Sequence, residues 1–267
     1  MKNARDLLVI DDEPVVLAGV SRIGESEGWS VDTAESGCDG LRLLDAGPHR
    51  LILCDIMMEG CDGFQFLAEA ARRQLATPVV MTTGYSTVEH AVRSLRNGAL
   101  DFLAKPFTVD ELLAVVHRGF AIDRLGADGR PGATGGCPSA YHRLGRVSWA
   151  APEPEGTVRV GVHDLFLRAL GGLQRLTLYP VGSELIQGLT CAEADAPDGL
   201  SHHVMGPISG RVLEANPRLL AAPDLLLRDP YGEGWLYRLV PADLAYNLRF
   251  LECAAPAPSG PAVNKET

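Results

Sequence analysis

The sequence predicts a two-part molecule: an α/β doubly wound parallel sheet followed by a smaller, mainly β domain. Three observations carry this. Short apolar runs alternate with stretches of 3.6-residue periodicity through residues 5–124, the pattern of βαβ units. A Gly-, Pro- and Ala-rich stretch at 125–140 then interrupts the pattern and reads as a flexible linker. Beyond it, brief β-type runs are broken by Gly and Pro turns.

The apolar runs at 7–10, 51–53 and 79–81 read as strands buried on both faces, with a weaker run at 99–104. The run at 29–34 alternates and belongs nearer an edge. Between them Val16, Val20 and Ile23 mark one helix, Val88, Val92 and Leu95 another, and Leu112, Leu113, Val116 and Phe120 the last. Five strands and five helices make a doubly wound sheet, whose sites lie beyond the carboxyl ends of the strands. After the linker, β-type runs at 157–160, 175–178 and 204–212 and one helical piece near 163–170 build a domain over 141–252. Residues 253–267 read as a disordered tail.

Composition narrows the function. The chain carries 24 Lys and Arg against 34 Asp and Glu, a net charge of −10, and both halves are acidic. No window offers the concentrated basic face that phosphate-backbone binding needs, so nucleic acid is not an expected partner. Six cysteines (38, 54, 61, 137, 191 and 253) lack CxxC spacing, as expected of reduced thiols. With neither a signal-type apolar core nor a membrane-length apolar run, the expected location is the cytoplasm.

The chemistry gathers at the predicted strand ends. Asp11 and Asp12 follow the first strand, Asp55 the third, Thr82 the fourth and Lys105 the last. Neighbouring carboxylates repel by about 4 kcal/mol per pair at an effective dielectric of 20, which a divalent cation and an ammonium relieve. All-oxygen ligation with room for water suits Mg²⁺. Asp55 then serves as nucleophile toward phosphorus, Lys105 balances the charge, and the Thr82 hydroxyl donates to a phosphoryl oxygen.

These residues, within Ile10-Asp11-Asp12-Glu13-Pro14, Cys54-Asp55-Ile56-Met57-Met58, Asp62-Gly63, Met81-Thr82-Thr83-Gly84, Gly98-Ala99 and Lys105-Pro106-Phe107, make residues 5–124 resemble the receiver domain of two-component response regulators. The resemblance implies a flavodoxin-like sheet of strand order 2-1-3-4-5 and a cis Lys105–Pro106 bond. It implies Mg²⁺ held by Asp12, Asp55 and the Met57 carbonyl, with Asp11 acting through water, and Thr82 and Phe102 as the switch pair. It also implies a sensor histidine kinase as partner, a homodimer as a further option, and no catalysis beyond the domain's own phosphotransfer and autodephosphorylation. Two departures stand out: Glu59 adds charge beside the site, and Cys61 replaces an apolar anchor.

The second part lacks the paired helices and basic face of a helix-turn-helix, and it has no Walker loop. Its residues 156–164 (Gly-Thr-Val-Arg-Val-Gly-Val-His-Asp), 207–212 (Pro-Ile-Ser-Gly-Arg-Val) and 228–236 (Arg-Asp-Pro-Tyr-Gly-Glu-Gly-Trp-Leu) resemble the H protein of the glycine cleavage system over 141–250. That resemblance implies a lipoyl/biotinyl-carrier-like barrel-sandwich and a lipoyl-bearing lysine about eleven residues before the turn glycine. Gly199 falls there, and no lysine lies between Lys105 and Lys265, so lipoate is not expected. Cys191 offers a thiol as an alternative attachment point, and His202-His203 a weak metal suggestion, although strand neighbours point to opposite faces. Tyr231, Trp235 and Tyr237 are expected to fill the small core. The expected function is a response regulator phosphorylated on Asp55 whose output acts by protein–protein interaction, with lipoyl-handling or glycine-cleavage-type enzymes as candidate partners.

Overall fold

The computed structural model describes residues 4–84, 88–127 and 137–253. The first part alternates strand and helix: β1 (Arg5–Ile10), α1 (Pro14–Ser26), β2 (Val31–Ala34), α2 (Gly37–Ala46), β3 (His49–Asp55), α3 (Gly63–Arg72), β4 (Val79–Thr83), α4 (Val88–Arg96), β5 (Asp101–Ala104) and α5 (Val109–Ala127). The five strands pair in parallel in the order β2-β1-β3-β4-β5, as expected. Strand β1 lies inside the sheet, between β2 and β3, because Leu7, Leu8, Val9 and Ile10 are apolar on both faces of the pleat and are buried.

Two strands are shorter than the sequence suggests, for one reason. The Trp29 amide donates back to the Gly24 carbonyl (2.8 Å) and the Ala99 amide to the Ser94 carbonyl (3.0 Å). Both groups close the preceding helix and are lost to the sheet ladder. The predicted linker is also trimmed, since α5 continues through Ala127. The remainder of the linker at 128–136 and the tail from 254 lie outside the described residues.

The second part runs β6 (His142–Leu144), β7 (Ser148–Pro152), β8 (Val158–Val162), α6 (Asp164–Leu170), β9 (Arg175–Leu178), β10 (Glu184–Leu185), β11 (Thr190–Asp195), β12 (Ser201–Met205), β13 (Gly210–Ala215), α7 (Pro217–Ala221), α8 (Leu225–Arg228), β14 (Tyr237–Pro241), α9 (Leu244–Leu248) and β15 (Glu252–Cys253). A sheet ordered β10-β13-β14-β8-β7-β6-β15 accompanies a smaller sheet ordered β12-β11-β9, the mainly β barrel-sandwich anticipated. The single strand expected over 204–212 is two strands. Pro207 has no N–H for a ladder, and the Gly206 amide turns to Leu189 O at 2.8 Å.

The core is built on Trp149 and Tyr237, both fully buried, and Trp149 lies flat against β8 where Gly161 has no side chain to obstruct it. Of the three aromatics expected inside, only Tyr237 is fully buried. Tyr231 is half-buried against Trp149, and Trp235 is half-buried beside the Arg238 guanidinium. The two parts share apolar packing. Leu165 and Ala169 of α6 join the cluster of Leu112, Val115 and Ile122 on α5, and α5 also packs on β12.

Candidate functional site

The carboxyl edge of the first sheet gathers Asp11, Asp55, Thr82 and Lys105. Asp11 and Asp55 are buried (1% and 3% exposed), and the Lys105 ammonium lies 2.7 Å from Asp11 Oδ2 and 2.9 Å from Asp55 Oδ1. Glu13 supplies a third carboxylate at 3.0 Å, which the sequence reading passed over. Backbone amides fix the acids in place: Met57 N donates to Asp55 Oδ2 (2.7 Å) and Glu13 N to Asp11 Oδ1 (3.0 Å). The Asp62-Gly63 pair has a steric reason. Asp62 caps α3 in a reciprocal box with Gln65, and a side chain at Gly63 would meet the Asp55 carbonyl oxygen at 2.1 Å.

Burial, the largest influence, lifts both Asp11 and Asp55 above the ordinary aspartate range, and Lys105 works against that rise. Burial likewise acts to lower Lys105, but Asp11, Asp55 and Glu13 together raise it, so the ammonium stays charged. Asp55 Oδ1 is buried without a hydrogen bond, its ion pair with Lys105 being out of line for one. A carboxylate oxygen with an uncommitted lone pair, beside a cation, is suited to attack an electrophilic phosphorus.

The donor chemistry also fits Mg²⁺, a hard cation that takes one or two protein carboxylates and keeps water. The four residues expected to hold the metal are only partly assembled, however. Asp12 is exposed and its Oδ2 lies 3.4 Å from Glu59 N, and among the described residues no three acidic side chains are placed to hold one metal ion. Lys105 occupies the space between Asp11 and Asp55.

Thr82 is buried directly across from Asp55 in the β3–β4 register, so a displacement of one side chain is felt by the other. Phe102 on β5 pairs in register with Met81 and is 9% exposed. What covers this face is the second part of the chain. Phe102 shares an apolar cluster with Leu144, Val147 and Met205. Arg118 of α5, 3% exposed, binds the Asp101 carboxylate through Nη2, approaches His202 Nδ1 through Nη1 at 2.7 Å, and stacks on Phe166 at 4.6 Å. Burial pulls Arg118 down to about 9, with the Asp198 charge working against that fall, so the guanidinium stays charged at neutral pH. Two lesser links flank this one: His117 Nδ1 to Asp198 Oδ2 at 3.3 Å, and Arg96 Nη1 to the Arg249 carbonyl at 3.0 Å. Arg118, Asp101 and Asp198 were missed in the sequence, although an arginine lying between Val115 and Ile122 on one helix line is a visible signal.

In the second part, Gly199 falls at the tip of the β11–β12 hairpin, where its amide closes a turn onto Ala196 O (3.1 Å). Gly199 has φ +85, a region that a lysine enters only at a cost of about 1 kcal/mol. Cys191 is 1% exposed and burial pushes its thiol up to about 12, so the alternative of a group carried there is not compatible with the fold. His202 is buried against Arg118 while His203 faces the other way, half-buried, and among the described residues no group of three ligating side chains includes the pair.

A lysine-bridged aspartate pair at the carboxyl edge of a 2-1-3-4-5 sheet defines a receiver-type switch domain, here packed against a carrier-like β-sandwich. Residues 7–117 match the family model of the response regulator receiver domain, and residues 140–255 that of the glycine cleavage H-protein. The chain is thus a receiver domain fused to an H-protein-like domain that lacks the lipoyl lysine. It is 37% identical over 125 residues to the transcriptional regulatory protein TcrA of Mycobacterium tuberculosis, covering 47% of this chain and 48% of that one. It is also 37% identical over 124 residues to the nitrogen assimilation regulatory protein NtrX of Azorhizobium caulinodans, covering 46% of this chain and 27% of the relative. The match thus spans about half or less of these relatives. Among solved structures, a glycine cleavage system H protein from Mycobacterium marinum is 32% identical, with 39% of this chain and 86% of that one covered and a TM-score of 0.37. Receiver domains generally bind Mg²⁺ at the phosphorylation site and take their phosphoryl group from sensor histidine kinases. Among the described residues no helix is long and apolar enough to cross a membrane.

Proposed function

We propose that this chain is a response regulator of a two-component relay, phosphorylated on Asp55, whose output unit is the H-like domain. The functional units are 1–124 and 141–252. The observation that carries the reading is the Lys105 ammonium held between Asp11 and Asp55, with Asp55 Oδ1 free of hydrogen bonds. An Asp55 oxygen forms the new O–P bond as the P–N bond of a kinase phosphohistidine breaks, its electron pair passing to the imidazole nitrogen. Mg²⁺ held by Asp11, Asp12, Asp55 and the Met57 carbonyl would neutralise phosphoryl charge. Lys105 leaves one carboxylate contact for a phosphoryl oxygen, and Thr82 donates its hydroxyl to another.

The covered Phe102 face supports the second half of the reading. Movement of Thr82 toward the phosphoryl group vacates space behind it, Phe102 turns inward, and the packing against the H-like domain changes. The domain is then free to dock with a protein partner, of which enzymes that handle lipoyl domains are candidates by resemblance. An acidic output domain without a basic face favours a protein target over DNA, and a cytoplasmic setting accompanies this role.

Incubation with acetyl phosphate and Mg²⁺ is expected to yield an acid-stable, base-labile adduct on the wild-type chain and none on Asp55→Asn. Labelling of the Asp55→Asn chain to the wild-type level would overturn the assignment.

A further inference from the structure

Where the two domains meet, the structure holds a cavity of about 260 Å³ that the switch chemistry does not use. The receiver contributes Leu95 and Gly98 to its wall, and the H-like domain contributes Arg143, Arg146, His163 and Glu252. A single water needs on the order of 10–15 Å³ of such space, so the cavity has room for a small molecule.

Its polar lining is made of unused donors. His163 is 2% exposed and its Nε2 is buried without a hydrogen bond. Leu165 N donates to His163 Nδ1 at 3.2 Å, which places the ring proton on Nε2. Asp164 Oδ1 lies 3.1 Å from Nδ1 and accepts from the Tyr231 hydroxyl at 3.0 Å. Arg143 binds Glu252 through Nη2 at 3.1 Å, but its Nε is buried and unpaired. Arg146 is exposed at the mouth and makes no ion pair among the described residues. The acceptors nearby are spent: the Ser94 and Leu95 carbonyls at the end of α4 accept from the Ala99 and Gly98 amides at 3.0 and 3.2 Å. Glu252 offsets Arg143, and Arg146 leaves the cavity with a net positive charge.

Unpaired buried donors are costly, and the group that relieves them all is one that only accepts. We propose that the cavity between the receiver and the H-like domain binds a small oxyanion, a carboxylate or phosphate, through His163 Nε2, Arg143 Nε and Arg146. Because both domains form its wall, such a ligand clamps them together and gives the chain a chemical input separate from Asp55. That coupling rests on the seam being the switched element, whereas binding itself does not.

Calorimetric titration of the full chain with inorganic phosphate, acetate and succinate, at constant ionic strength set with chloride, tests this. Saturable 1:1 binding of at least one is expected, and the preference among the three tells phosphate from carboxylate. Arg146→Gln alters an exposed residue, and His163→Asn keeps a side-chain acceptor for the Leu165 amide while removing the Nε2 donor. Either variant is expected to weaken binding about tenfold. No saturable binding by any of the three, or unchanged affinity in both variants, would overturn the site.

Discussion

Lys105 is the residue on which the site's electrostatics turn. Asp11 and Asp55 are raised by burial, so their protonated forms are favoured at low pH and the folded state is penalised as pH rises through their folded values. Lys105 offsets that penalty at neutral pH. Lys105→Met therefore leaves two buried carboxylates without their cation, at a cost of about 3 kcal/mol. The loss is expected to shrink when the pH is lowered from neutral into the acid range, because the raised carboxylates take up protons earlier than ordinary aspartates do. Urea midpoints of variant and wild type at neutral and acid pH check this, and a loss that grows with acid would contradict it. The gathering of Asp11, Asp55, Thr82 and Lys105 at one sheet edge was legible because each follows a strand whose apolar run is plain. That Asp12 turns away while Glu13 joins Lys105 was not legible. Side-chain direction one residue past a strand depends on local turn geometry that residue types leave open.

At the scale of elements, α5 decides how the domains meet. Its sequence stripe of Leu112, Val116 and Phe120 was legible as the face toward the sheet. A second line through Val115, Arg118 and Ile122 makes the helix apolar on two sides, which an isolated receiver would leave uncovered. Arg118→Met is expected to cost about 3–5 kcal/mol, because it leaves the buried Asp101 carboxylate unpaired. Chemical denaturation measures it, and a neutral effect would show that Asp101 finds another partner. His202 adds a pH dependence. Burial, with the like charge of Arg118, pushes it down to about 4. A depressed histidine contributes stability that is present above the unfolded value near 6.5 and is lost as pH falls toward about 4. The contact between domains is thus expected to loosen through that window, read by the rate of limited proteolysis. His202→Asn should flatten the response. The break of the 204–212 run into β12 and β13 was not legible for a different reason: Gly206-Pro207 can end a strand or bend it, and the Leu189 carbonyl just before β11 decides.

For the molecule as a whole, the two domain types were readable from their motifs, but their mutual packing was not. Contacts such as Arg118 to His202 join positions 84 residues apart, and no local pattern encodes them. If Phe102 governs the packing, beryllofluoride and Mg²⁺ should expand the wild-type chain. Small-angle scattering is expected to show a larger radius of gyration for wild type and no change for Asp55→Asn. Equal dimensions in every state would remove the receiver from control of the H-like domain.

The hairpin that would bear a lipoyl lysine ends instead in Gly199, and its Asp198 rests on His117 of the receiver. The consequence is one of competition. A face held by its own chain meets its partner at an effective concentration on the order of millimolar. An external protein present at micromolar levels must therefore bind about a thousandfold more tightly than the receiver does, or wait until the receiver lets go.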